Sequence, residues 1–134
     1  MGYPAQLDYV WLATDVHGRL AAMITAGEGP MPPQTYAADD LPDIEEMLLA
    51  LPSLSEAILH VRVPQPDSLI ALSQRGLFVY DWSDLHRPIV RRIGAYELMA
   101  SPVTAIGRDA LDPGLRGLAA NIAGSIGDPT IKIE

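Results

Sequence analysis

Leu77-Phe78-Val79-Tyr80-Asp81-Trp82 is the most strand-like stretch of this 134-residue chain, a run of β-branched and aromatic side chains between Gly76 and the polar turn Ser83 to Pro88. Beyond that turn, Arg91-Arg92-Ile93-Gly94-Ala95-Tyr96-Glu97-Leu98-Met99 can return beside it, which makes a β-hairpin. On its near side, Gly76 stands where a helix ends in the left-handed conformation, and Asp67 can cap a helix over Ser68 to Arg75 after the break at Pro64-Gln65-Pro66. Before that break, Ser55-Glu56 could open a helix over Ala57 to Val63, but Ile58 to Val63 alternates and a strand is favoured, with His60 read as a packed, hydrogen-bonded side chain.

Towards the N-terminus a second hairpin pairs Asp8-Tyr9-Val10-Trp11-Leu12-Ala13-Thr14 with Arg19-Leu20-Ala21-Ala22-Met23-Ile24-Thr25 across the turn Asp15-Val16-His17-Gly18. Gly27 to Pro33 holds three prolines and cannot continue a strand. Asp39 or Asp40 then caps a helix with Pro42 in its first turn, and Ile44, Met47, Leu48 and Leu51 follow at helical spacing until Pro52. Near the C-terminus, Asp112-Pro113 opens a helix carrying Leu115, Leu118, Ala119 and Ile122 on one face, and Thr130-Ile131-Lys132-Ile133 adds an edge strand. The expected architecture is α+β, an antiparallel sheet built from two hairpins plus added strands, with two or three helices packed on it. At ~100 to 200 residues per domain, residues 1–134 make a single one.

Composition narrows the chemistry. With 49% hydrophobic and 19% charged residues, the chain is too apolar to stay disordered. It contains no cysteine, which removes thiolate nucleophiles, zinc ribbons, iron–sulfur clusters and disulfides. A net charge of −8 disfavours nucleic acid and anionic membrane as partners. Met1-Gly2-Tyr3-Pro4-Ala5-Gln6 has neither a basic nor an apolar leader region, and no run approaches the ~20 apolar residues of a membrane span. A cytoplasmic protein is the expectation.

No Gly-x-Ser-x-Gly elbow, His-Glu-x-x-His or phosphate loop is present, and Gly27-Glu28-Gly29-Pro30 places an acid and a proline where phosphate needs free amides. The sole lysine is Lys132. Thr14-Asp15-Val16-His17-Gly18-Arg19 and Ser83-Asp84-Leu85-His86-Arg87 echo one another, each after a strand containing Trp. If those turns met, Asp15, His17, Asp81, Asp84 and His86 would supply carboxylates and imidazoles for a metal or a hydrolytic centre. Asp at a turn more often bonds the backbone two residues ahead. No catalytic residue, metal or cofactor is therefore expected, and a small metal-dependent or hydrolytic enzyme, or a ligand-binding or scaffold domain, stands as the alternative.

Charge distribution is the sharper feature. Residues 20 to 61 contain Glu28, Asp39, Asp40, Asp43, Glu45, Glu46 and Glu56 but no Lys or Arg, so most of the net charge belongs to one region. With Ile44, Met47, Leu48 and Leu51 facing the core, Asp43, Glu45 and Glu46 point outward and Leu49 falls between the glutamates. Asp39, Asp40, Asp43, Glu45, Glu46 and Leu49 are the expected partner-binding set, an acidic rim around an apolar anchor that would steer and hold a basic protein. The basic cluster Arg87, Arg91 and Arg92 is read as neutralised within the molecule or solvated.

Four stretches, Asp8 to Asp15, Thr25 to Pro30, Gly76 to Arg87 and Ala95-Tyr96-Glu97-Leu98, together resemble small bacterial proteins, some of which look like the immunity partners of polymorphic or type VI secreted toxins. The resemblance spans roughly residues 8 to 120. It implies a protein that binds a cognate toxin domain in the cytoplasm of the producing cell and blocks its active site, and it carries over no catalytic residue. A basic nuclease toxin fits the acidity, because an acidic protein can occupy a phosphate-binding surface.

Overall fold

In the computed structural model, which describes residues 8–35 and 42–133, β1 (Val10–Thr14) and β2 (Leu20–Ile24) form the expected N-terminal hairpin, in register from Val10 opposite Ile24 to Thr14 opposite Leu20. All five residues of β1 are buried, as are the first four of β2. Both sheet faces are covered here, which is why these strands read as continuous apolar runs instead of alternating.

From β2 the chain crosses the domain through α1 (Ile44–Leu49), β3 (Ala57–Leu59) and α2 (Asp67–Gln74) before β4 (Phe78–Asp81) returns beside β2. That crossover makes β2 and β4 parallel, with Ala21 opposite Phe78 and Ile24 opposite Asp81, as a long helical connection allows and a hairpin does not. β5 (Tyr96–Pro102) pairs antiparallel with β4; then come α3 (Pro113–Leu118), β6 (Ala120–Asn121) parallel to β1, and β7 (Thr130–Ile131) antiparallel to β5. The sheet order is β3-β5-β4-β2-β1-β6, with β7 also on β5. The fold is α+β as expected, but the sheet is mixed and not purely antiparallel.

Several local readings shift. The cap expected of Asp39 or Asp40 falls to Asp43, whose carboxylate accepts the Glu46 amide at 3.0 Å, so Pro42 precedes the cap. Asp39 and Asp40 themselves lie outside the described residues. Asp67 is the first residue of α2 and its side chain makes no cap, while Gly76 has the left-handed φ of +92° expected after that helix. His60 is exposed instead of packed; its Nε2 lies 2.7 Å from Ser101 Oγ. The strand expected over Ala57 to Val63 ends at Leu59. α3 opens on Asp112 as expected but stops at Leu118, leaving Ile122 buried beyond β6.

The second hairpin keeps its pairing but loses the first five residues expected of its return strand. Ile89–Arg91 forms a 3-10 turn, and the Asp84 carboxylate accepts the amides of Ile93 at 2.9 Å and Gly94 at 2.7 Å. Those bonds fold the chain back before Tyr96, and Gly94, at φ +65°, makes the corner.

The core is sealed by an aromatic stack. Trp11 and Trp82 meet Tyr96 edge-on, with centroids 6.0 and 5.3 Å away. Trp11 Nε1 donates to the Tyr96 hydroxyl, which donates to the Pro30 carbonyl at 2.9 Å. A Cβ on Gly29 would stand 2.6 Å from the Tyr96 hydroxyl and 2.9 Å from Trp82 Cβ, so the Gly-Glu-Gly-Pro loop owes its second glycine to this approach. α1 packs on β1, and α2 lies across β3, β4 and β5.

Candidate protein-docking surface

α1 is amphipathic in the expected sense. Ile44 and Leu48 are buried, Asp43 and Glu46 are exposed, and Glu45 is half-buried. The Tyr9 hydroxyl donates to the Pro42 carbonyl at 2.7 Å and ties the start of the helix to the strand beneath. Burial, then the charges of Asp43 and Asp8, push the Glu45 carboxyl above its ordinary value; burial and Asp43 do the same to the Tyr9 phenol. Acids at a helix N-terminus complement the helix dipole, so part of this charge serves the fold.

Leu49 differs from its expected role. It is half-buried and packed against the core, and Arg75 Nη2 donates to its carbonyl at 3.1 Å, holding the C-terminal end of α1 against α2. It offers only part of a side chain to a partner. Met47 and Leu51 are likewise half-buried against the core.

None of the ion pairs among the described residues reaches this face. Arg87 bridges Asp84 and Glu97, and Arg92 meets Glu28 at 3.0 Å. The basic cluster is thus largely neutralised within the molecule, by Asp84, Glu97 and Glu28. Asp43, Glu45 and Glu46 keep an uncompensated negative field.

The two Asp-His turns do not converge. β1 runs antiparallel to β2 and β2 parallel to β4, so the turn after β1 lies at the start of β4 and the turn after β4 at the other end of the sheet. Asp15 organises its own turn, accepting the amides of His17 and Arg19 at 3.0 Å each and the distant Ile126 amide at 2.9 Å. Asp84, 1% exposed, does the same for Ile93 and Gly94. The echo between the turns is backbone organisation, and among the described residues no group of three or more His, Asp and Glu is placed to hold a metal ion.

At the end of β4, Asp81 stands opposite Glu97. Burial, then the charge of Asp8, raise the Asp81 carboxyl despite the lowering effect of the Trp82 amide and His86. The feature the sequence reading missed is next to it. Ile89 and Val90 project into solvent, 83% and 91% exposed. Its signal is an aliphatic pair flanked by proline and arginines, Arg87-Pro88-Ile89-Val90-Arg91-Arg92, which is unusual at a turn.

No helix among the described residues is long and apolar enough to cross a membrane. No family model, curated protein or solved structure matches the chain.

Proposed function

We propose that this protein is a cytoplasmic inhibitor of the immunity type, which binds and neutralises a cognate basic toxin domain such as a nuclease through the acidic face of α1. The observation that carries the reading is the uncompensated charge of Asp43, Glu45 and Glu46, in a stretch from residue 20 to 61 without one Lys or Arg. Part of this charge complements the helix dipole, and a binding partner of opposite charge gains association rate and orientation from the field left unpaired. The resemblance to immunity proteins supports the choice of a toxin as that partner.

The test immobilises the wild-type protein and an E45K/E46K variant, applies lysate of the native source at low salt, and elutes by raising salt. The expected result is a basic protein retained by the wild type and lost by the variant, whose growth inhibition is relieved by coexpressing the wild type. Identical retention on both matrices, or a retained protein whose effect on growth is unchanged by coexpression, would overturn the reading.

A further inference from the structure

Ile89 and Val90, 83% and 91% exposed, are the most exposed pair of adjacent large aliphatic residues among the described residues, and hydrogen bonds anchor the loop that carries them. The buried Asp84 carboxylate fixes the base of its loop through Ile93, Gly94 and Arg87. On the flank, Arg92 pairs with Glu28, which also accepts from Trp82 Nε1 at 3.2 Å. An apolar pair presented on so constrained a loop loses little freedom on docking.

The loop rises from the rim of a cavity of about 350 Å³, to which His86 and Arg87 contribute. Val61, Val63, Leu69 and Met99 form its apolar walls, and Asp81 and Glu97 its acidic side. Three carboxylates crowd there, Asp81, Glu97 and the Asp84 behind them, and Arg87 is the guanidinium they have at hand. Arg91, on the loop, has no acidic partner among the described residues. Tip and cavity are therefore complementary in both shape class and charge, yet the high exposure of Ile89 and Val90 shows that a loop does not fill the cavity of its own chain.

We propose that this face is a two-fold interface between two copies of the chain, the Ile89–Val90 tip of each entering the cavity of the other with Arg91 set against Asp81 and Glu97. An isologous interface requires donor and acceptor on the same face of one molecule, and the adjacency of loop and cavity through His86 and Arg87 supplies that. None of the residues named in this interface belongs to the acidic face of α1. The proposal stands or falls independently of the inhibitor reading.

Because the chain has no cysteine, only the introduced thiols can cross-link, and each single-cysteine protein oxidised alone gives the background of random disulfides. Val90→Cys protein is mixed with Val63→Cys protein under mild oxidant, and wild type, V90D and R91E are compared by sedimentation velocity up to about 100 μM, a range that detects micromolar self-association. The expected results are a covalent dimer from the mixture, a wild-type species of twice the 14.4 kDa chain mass, a monomeric V90D with unchanged circular dichroism, and dimerisation weakened about tenfold or more in R91E. A wild type that stays monomeric throughout overturns the proposal, as does a dimer that V90D leaves intact or that the cysteine pair fails to trap. So does a monomer whose Val90 loop becomes protected from hydrogen exchange only when a different protein is added.

Discussion

The Asp84 carboxylate accepts the amide of Gly94 at 2.7 Å, ten residues along the chain, and with the Ile93 amide on its other oxygen it closes the loop that joins β4 to β5. A buried acceptor serving several donors is costly to remove, because the donors lose their partners without regaining water. Asp84→Ala is expected to destabilise the fold by about 2 to 3 kcal/mol, measured by urea unfolding. Amide exchange at Ile93 and Gly94 should accelerate more than exchange in β1.

Two carboxyls give the acid limb of stability opposite slopes. Burial raises the Asp84 carboxyl, but the Ile93 and Gly94 amides and the Arg87 guanidinium outweigh it and hold the group below its ordinary value. Its folded pKa lies below the unfolded one, so its stabilisation is present above the unfolded value and lost as pH falls through the folded value. Asp81 is raised by burial and then by Asp8; its contribution is full below the unfolded value and lost as pH rises through the folded one. Stability followed from about pH 2 to pH 7 should therefore show a shallower acid loss in Asp84→Asn, and in Asp81→Asn a gain at neutral pH that disappears in acid.

Gly29 and Gly117 make a matched pair. A Cβ on Gly29 meets Tyr96 and Trp82 within 2.9 Å, whereas one on Gly117, inside α3, meets nothing within 4 Å. Gly29→Ala should cost about 1 to 3 kcal/mol through displacement of the aromatic stack, with a change in near-ultraviolet circular dichroism. Gly117→Ala should be neutral or stabilise by up to about 1 kcal/mol. Equal effects in urea unfolding would refute the close approach.

Within α1, the cap and the charged face separate by experiment. Asp43→Ala removes the acceptor of the Glu46 amide and should lower stability by about 1 kcal/mol. Glu45→Gln with Glu46→Gln leaves the cap in place and should change stability by less than about 0.5 kcal/mol, while reducing affinity for a basic partner.

What was legible in the sequence was local. The N-terminal hairpin follows from Val10 to Thr14 and Leu20 to Ile24 flanking a turn with Asp15 and Gly18, all within reach of one another along the chain. Asp112-Pro113 and Gly76 announce a helix start and a helix end by backbone chemistry alone. The pairing of β2 with β4 was not legible, since the crossover through α1, β3 and α2 decides it and a strand's own residues do not record their neighbour's direction. The start of β5 at Tyr96 depends on which amides Asp84 reaches, and those lie nine and ten residues away. For the acidic face, helical spacing placed Glu46 outward, while Glu45, expected outward too, is half-buried. Leu49 came out half-buried because α1 ends there, against α2 and Arg75, a contact between helices far apart in sequence.

The most direct test of the central claim is the association rate of the salt-eluted basic partner with wild type and with E45K/E46K, measured by stopped flow over increasing ionic strength. The account predicts a wild-type rate that falls steeply with salt and a variant rate that is at least about tenfold lower at low salt and nearly flat. Superimposable rates and salt slopes would contradict it.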